Sequence, residues 1–141
     1  MEFKELLAGA KDKAVSSINL LESSLSKYKV YNPEKLYTPD ELEPYDALSD
    51  RFMRAVEISI KFLKTWEFAN FGDKSDVLRN TLNKAEKSEL ITEANEWIRM
   101  RTLRNKIVHD YLPEEREETY DLIVNEYSPE LLRFKSKIEK H

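Results

Sequence analysis

The spacing of apolar residues at the start of the chain is the feature that most restricts its fold. Apolar side chains recur there every three or four positions, at Phe3, Leu6, Leu7, Ala10, Ala14, Ile18, Leu21, Leu25 and Tyr28. This period matches one face of an α-helix and does not match the alternation of a β-strand. The sequence therefore predicts a long amphipathic helix from about Glu2 to Lys29.

The rest of the chain has the same helical character. Only 2 of its 141 residues are glycine, and no long stretch alternates apolar and polar residues. Further helices are predicted at Tyr45–Asn70, at Asp76–Lys87 after a Ser75 cap, from a Thr92 cap to about His109, from Pro113, and from Ser128-Pro129. We expect one all-α domain over residues 1–141, an up-and-down bundle of five or six helices.

A proline-containing segment separates the first two predicted helices. Pro33, Pro39 and Pro44 lie between Val30 and Pro44. Each proline also disfavours helical geometry at the residue before it, so residues 30–44 are predicted to form a loop within the domain. Tyr31 and Tyr37 are expected to hold this loop against the surface.

The second predicted helix is apolar on more than one side. One stripe contains Leu48, Phe52, Val56, Leu63 and Trp66, and further apolar residues widen it, namely Met53, Ile58, Ile60, Phe62 and Phe68. Such a helix is either central in a bundle or shared with a partner chain. The sequence leaves both arrangements open.

The scarcity of certain residue types excludes several kinds of chemistry. Two glycines are too few for a glycine-rich phosphate loop or a dinucleotide fingerprint. With no cysteine and two histidines, disulfides, iron–sulfur clusters and multi-histidine metal sites are not expected, so no cofactor is predicted. No apolar run is long enough to span a membrane, and no secretory signal is recognisable, so we expect a cytoplasmic protein without a membrane association.

One segment reverses the sign of an otherwise acidic chain. The formal net charge is −4, which argues against a general coat for nucleic acid, yet four cations and no acid lie between Arg99 and Lys106. These cations can be a solvated helix face, or they can belong to a site that includes His109, the one internal histidine. Asn105 lies four residues before His109 and can orient its imidazole.

Arg104 and His109 do not converge on one regular helix. They are five residues apart, which places them about 140° apart around the helix axis. Either the helix breaks before His109, or a second subunit completes the pair.

The octet Arg104-Asn-Lys-Ile-Val-His109-Asp-Tyr111 resembles the R-x4-H-x-Y motif of HepT-like proteins in the HEPN superfamily. Asn105 supplies the polar residue that follows the arginine in that motif. In addition, residues 50–64 resemble the second helix of nucleotidyltransferase substrate-binding subunits. The resemblance extends over most of the chain, with the octet as its only sharp part.

The resemblance implies a homodimeric, metal-independent ribonuclease toxin, paired with a minimal nucleotidyltransferase antitoxin. In that hypothesis Arg104 holds the scissile phosphate, His109 transfers protons, and Asn105 orients the histidine or binds substrate. Arg101 and Lys106 contact the RNA backbone. Tyr111 accepts AMP from the partner, which silences the nuclease. Two alternatives remain: a non-catalytic substrate-binding subunit of a nucleotidyltransferase, and a purely structural helical dimer.

Overall fold

A computed structural model describes residues 2–110 and 112–140, and within them it contains no β-strand. The α-helices are α1 (Glu2–Ser26), α2 (Pro39–Phe71), α3 (Leu78–Lys87), α4 (Ala94–Asp110), α5 (Arg116–Asp121) and α6 (Ser128–Glu139). A 3₁₀ turn at Pro113–Glu115 leads into α5, and a π-helical turn at Leu122–Tyr127 joins α5 to α6 as one rod. The all-α prediction is confirmed. No helix in this part of the chain is long and apolar enough to cross a membrane.

Helix α2 lies at the centre of the bundle, where it packs against α1, α3, α4 and α6. Its inner residues are buried, among them Leu48, Phe52, Val56, Phe62 and Leu63. Met53, Ile58 and Trp66 are partly buried against the same core. Contacts within one chain therefore account for the width of the apolar surface on α2.

The segment between α1 and α2 is shorter than predicted. Helix α1 ends at Ser26, and α2 begins at Pro39 instead of after Pro44. The Thr38 side chain accepts a hydrogen bond from the Glu41 backbone, and the Glu41 carboxylate accepts one from the Thr38 backbone, which is a capping box. Pro39 suits the first turn, where its missing N–H is not needed. Pro44 lies inside the helix, where it gives up one backbone hydrogen bond.

The prediction that Ser75 caps the third helix is wrong. Helix α3 begins at Leu78, and Val77 precedes it without a side-chain cap. The hydroxyl of Ser75 instead donates to the buried carboxylate of Glu67 on α2. A tertiary acceptor has therefore replaced the local one that the sequence suggested.

The predicted caps at Thr92 and Ser128 are also wrong. The hydroxyl of Thr92 donates to Glu130, 2.8 Å away, and the first backbone N–H of α4, at Ala94, donates to the Glu86 carboxylate at 2.7 Å. Ser128 is buried inside the continuous α5–α6 rod, where its backbone is helical. At the start of α4 a side chain from another helix thus replaces the expected local cap, whereas α6 continues from the preceding turn and has no free start to cap.

Candidate functional site

The cationic segment forms the outer face of α4. Met100, Leu103 and Ile107 are buried and hold the helix against the bundle. Because residues four apart lie on one face of a helix, Arg101, Asn105 and His109 form a line along the opposite side. Arg101 and His109 are exposed, and Asn105 is partly buried.

Arg104 is held by neighbouring side chains. Its guanidinium contacts the Glu57 carboxylate of α2 at 3.2 Å and donates to Oδ1 of Asn105 at 2.9 Å. The side chain keeps 30% of its surface exposed. The side-chain oxygen of Asn105 thus accepts a hydrogen bond from Arg104. Among the described residues no hydrogen bond joins Asn105 to His109.

Helix α4 runs without a break to Asp110, so it includes His109. The structure therefore excludes a helix break before His109 and leaves completion of the pair by a second subunit. Arg104 and His109 therefore stay about 140° apart around one helix axis. A single chain does not direct both side chains at one reacting group.

A further predicted site residue, Lys106, lies in the last turns of α4. The Lys106 ammonium is 2.6 Å from the Glu115 carboxylate, so its charge is compensated within the chain. Tyr111 lies outside the described residues. Val108 and Leu112, which are 51% and 46% exposed, add apolar surface beside the motif.

A second candidate site, missed by the sequence analysis, is a cavity of about 600 Å³ between the end of α1, the linker and the start of α2. Lysines and tyrosines line much of it, among them Lys27, Tyr28, Lys29, Lys35, Tyr37 and Tyr45. The available signal was the density of tyrosines between positions 28 and 45. Their roles depend on how the linker folds back, which a residue pattern does not encode.

The tyrosines beside this cavity form one packed cluster. Tyr31 stacks on Tyr37 with ring centres 4.8 Å apart, and Tyr45 stacks on Tyr120 at 5.0 Å. Tyr28 meets Tyr45 edge to face at 6.1 Å. Burial, followed by the hydrogen bond and the charge of Tyr37, raises the pKa of the Tyr45 phenol, so this group stays protonated at neutral pH.

Two buried carboxylates are occupied in holding the fold together. Glu67, with no exposed surface, accepts hydrogen bonds from Ser75, Thr81 and Lys84. Burial raises the pKa of Glu67, but the hydrogen bonds from Lys84, Ser75 and Thr81 outweigh it and lower the pKa to about 2.

Glu130, 2% exposed, is the second of these carboxylates. It accepts hydrogen bonds from the Thr92 backbone and hydroxyl, from Nε1 of Trp97 and from Arg133. Both glutamates are fully engaged by protein donors, so we assign them structural roles. No group of three or more His, Cys, Asp or Glu side chains that could hold a metal occurs in the described part of the chain.

The chain is similar to a known protein family. A family model described as nucleotidyltransferase substrate binding protein like matches residues 12–140. The match includes α2, α4 and the α5–α6 rod, and therefore both candidate sites. No curated protein matches the chain.

Proposed function

Because the chain belongs to the nucleotidyltransferase substrate-binding protein-like family, we propose that it is the substrate-binding subunit of a nucleotidyltransferase located on another chain. The match over residues 12–140 is the observation that carries this proposal. The α4 site is compatible with it, because Arg104 and Lys106 have ion-pair partners within the chain. These side chains can contact a substrate, and substrate binding requires no proton transfer by them.

In this proposal the two chains divide the reaction. The partner binds the nucleoside triphosphate and transfers the nucleotidyl group, while this chain holds the acceptor near the transferred phosphorus. Fixing the acceptor turns a bimolecular encounter into an effectively unimolecular step, which can contribute about 7–11 kcal/mol to lowering the barrier. The expected effect of this subunit is therefore on the rate of transfer and on the choice of acceptor.

The proposal predicts a nucleotidyltransferase gene beside the gene of this chain, and coexpression of the two proteins tests it. We expect the two proteins to elute together in size-exclusion chromatography with light scattering. With α-³²P-labelled nucleoside triphosphate and a small-molecule cell extract, label should enter an acceptor only when both chains are present. Separate elution, or equal transfer by the partner alone, would contradict the proposal.

The R-x4-H-x-Y octet favours a second candidate, a ribonuclease of the HEPN type. In a homodimer, His109 of one chain would take the proton of the RNA 2′-hydroxyl, whose oxygen then attacks phosphorus. The bond from phosphorus to the 5′-oxygen breaks, and the second His109 protonates that oxygen. Arg104 would exchange Glu57 for the phosphate, and Asn105, Arg101 and Lys106 would position the RNA.

Growth and RNA integrity distinguish the two candidates. If the chain is a ribonuclease, its expression slows growth and cuts RNA, and Arg104→Ala and His109→Ala abolish both effects. Lys61→Ala is a matched control, because Lys61 is an exposed cation that also contacts Glu57, at 3.7 Å. If the chain is instead a substrate-binding subunit, RNA stays intact when the wild type or any of the three variants is expressed.

The proposed modification of Tyr111 belongs to the ribonuclease candidate. An AMP group there would place a negative charge beside the cations of α4 and oppose the binding of RNA phosphate. Mass spectrometry of the chain after coexpression with its partner should find AMP on Tyr111 and none on Tyr111→Phe. Unmodified Tyr111 would remove this role.

A further inference from the structure

The cavity beside the tyrosine cluster has the dimensions of a ligand site. Its volume of about 600 Å³ lies within the range of small-molecule pockets, roughly 300–1,000 Å³. We propose that it binds an anionic small molecule with a planar ring, of the class of a nucleoside monophosphate. The inference rests on the proposed function, since it names the class of substrate that the binding subunit holds.

The charges around the cavity favour an anion. Lys27, Lys29 and Lys35 line the cavity together with one carboxylate, that of Glu41, although the whole chain has a net charge of −4. Beyond this lining, burial raises the pKa of the Tyr28 phenol, and the charges of Asp121 and Glu117 add to this effect. Lys35 is 2.8 Å from Glu41, so these two charges compensate each other. Among the described residues, neither Lys27 nor Lys29 has an ion-pair partner. Their two ammonium groups suit a phosphate and disfavour a cationic acceptor.

The rings around the cavity favour a planar group. Tyr28, Tyr37 and Tyr45 line the cavity with aromatic surface, and Pro44 and Leu48 add aliphatic surface. The Tyr37 ring already stacks on Tyr31 and has the Lys35 ammonium 4.8 Å from its centre, and Tyr45 is only 8% exposed. Tyr28, which is partly exposed, is therefore the ring that a ligand can stack on. Stacking on a tyrosine is tolerant of the identity of the base, because every base presents a π-face. A ligand with a ring at one end and a phosphate at the other therefore matches both kinds of lining.

Hydrogen bonds keep the walls of the cavity in place without a ligand. The Tyr45 hydroxyl donates to the carbonyl of Lys29 at 2.7 Å, and the backbone N–H of Asn32 donates to the Tyr37 hydroxyl at 2.9 Å. The linker that carries Lys29 and Lys35 is thus attached to the start of α2. Because this order exists beforehand, binding a ligand does not have to order the loop.

Calorimetric titration of the full chain with AMP, adenosine and inorganic phosphate tests the inference. AMP should bind more tightly than either fragment, because it alone engages rings and lysines together. The double variant Lys27→Ala/Lys29→Ala should weaken AMP binding by about tenfold or more and leave adenosine binding unchanged. The matched control is Lys4→Ala/Lys13→Ala, which removes two exposed cations from α1.

Substitutions at Tyr28 test the role of the ring. Tyr28→Leu should weaken AMP binding at least about fivefold, the lower end of a stacking contribution, whereas Tyr28→Phe should retain most of the affinity. Thermal unfolding of each variant shows that the fold is intact. Binding of AMP no tighter than adenosine, or equal loss in the lysine variant and its control, would overturn the inference.

The binding test of the cavity and the coexpression test of the proposed function can fail independently. If the isolated chain binds AMP in the cavity but forms no complex with the nucleotidyltransferase, the cavity assignment stands and the proposed function fails. If the complex forms and transfers label while AMP does not bind, only the assignment of the ligand class fails.

Discussion

At the scale of single residues, two buried glutamates connect different helices. Glu67 joins α2 to the turn and helix that follow it, and Glu130 joins α6 to the start of α4. A buried carboxylate is costly unless donors surround it, so each glutamate stabilises only the arrangement that supplies them. These residues therefore help to specify how the helices pack.

Replacement of Glu130 should destabilise the fold strongly. Glu130→Ala leaves the Trp97 indole N–H and both Thr92 donors without their acceptor, and we expect the free energy of unfolding to fall by about 3 kcal/mol. Urea denaturation followed by circular dichroism measures the change. Glu139→Ala, an exposed position on the same helix, should change stability by less than about 0.5 kcal/mol. Equal stability of the two variants would refute the assignment.

Glu67 should make the free energy of unfolding depend on pH in the acidic range. Its pKa in the fold is about 2, against an ordinary value of 4.5, because its hydrogen bonds outweigh its burial. The stabilisation is complete above about pH 5 and is lost as pH falls toward 2, since the unfolded chain takes up the proton first. The full effect is on the order of 3 kcal/mol.

Comparison with Glu67→Gln isolates this effect. The difference in unfolding free energy between wild type and Glu67→Gln should shrink as pH falls from about 6 to about 3, because the wild-type stabilisation is lost. Glu139→Gln, at an exposed position, serves as the control. A difference that stays constant over this range would contradict the assignment.

At the scale of secondary structure, glycine has opposite roles in two helices. Gly72 ends α2 in the left-handed conformation, with φ of 78°, whereas Gly9 lies inside α1. A Cβ atom at either position would meet no heavy atom within 4 Å. The effect of alanine at each position therefore reports backbone conformation alone.

The two alanine variants should shift stability in opposite directions. Gly72→Ala should lower the free energy of unfolding by about 1–2 kcal/mol, because an L-residue is strained at positive φ. Gly9→Ala should raise it by about 0.5–1 kcal/mol, because alanine loses less backbone freedom in a helix. Thermal denaturation of both variants checks the signs, and two shifts of the same sign would be inconsistent with this reading of the helices.

At the scale of the whole molecule, the homodimer remains a prediction from the sequence. The unbroken α4 makes it necessary for the ribonuclease candidate, since one chain does not bring Arg104 and His109 together. Val108, which is 51% exposed beside the motif, is the position to test. If the outer face of α4 lies at the dimer axis, a charge at this position opposes association.

We expect the chain to sediment as a dimer and Val108→Asp to weaken dimerisation by at least about tenfold, because an unpaired carboxylate is costly to bury. Analytical ultracentrifugation over a range of concentrations measures this. Val77→Asp, at an exposed valine before α3, should leave the dimer unchanged. Equal dissociation of both variants would place the interface elsewhere.

The sequence by itself determined the helices and their inner faces. Apolar residues at helical spacing predicted α1 and α2, because burial of one face depends on local periodicity. The cations of α4 and the octet were likewise visible, since they are contiguous along the chain. The family match agrees with the resemblance to substrate-binding subunits that residues 50–64 suggested.

Only the tertiary structure decided which partners the polar side chains take. Ser75 and Thr92 donate to Glu67 and Glu130 instead of capping helices, and Arg104 contacts Glu57 from another helix. The tyrosine-lined cavity likewise forms only where the linker folds back on α1 and α2. These contacts join residues on different structural elements, and a hydrogen bond depends on distance and angle in space, which no local pattern fixes.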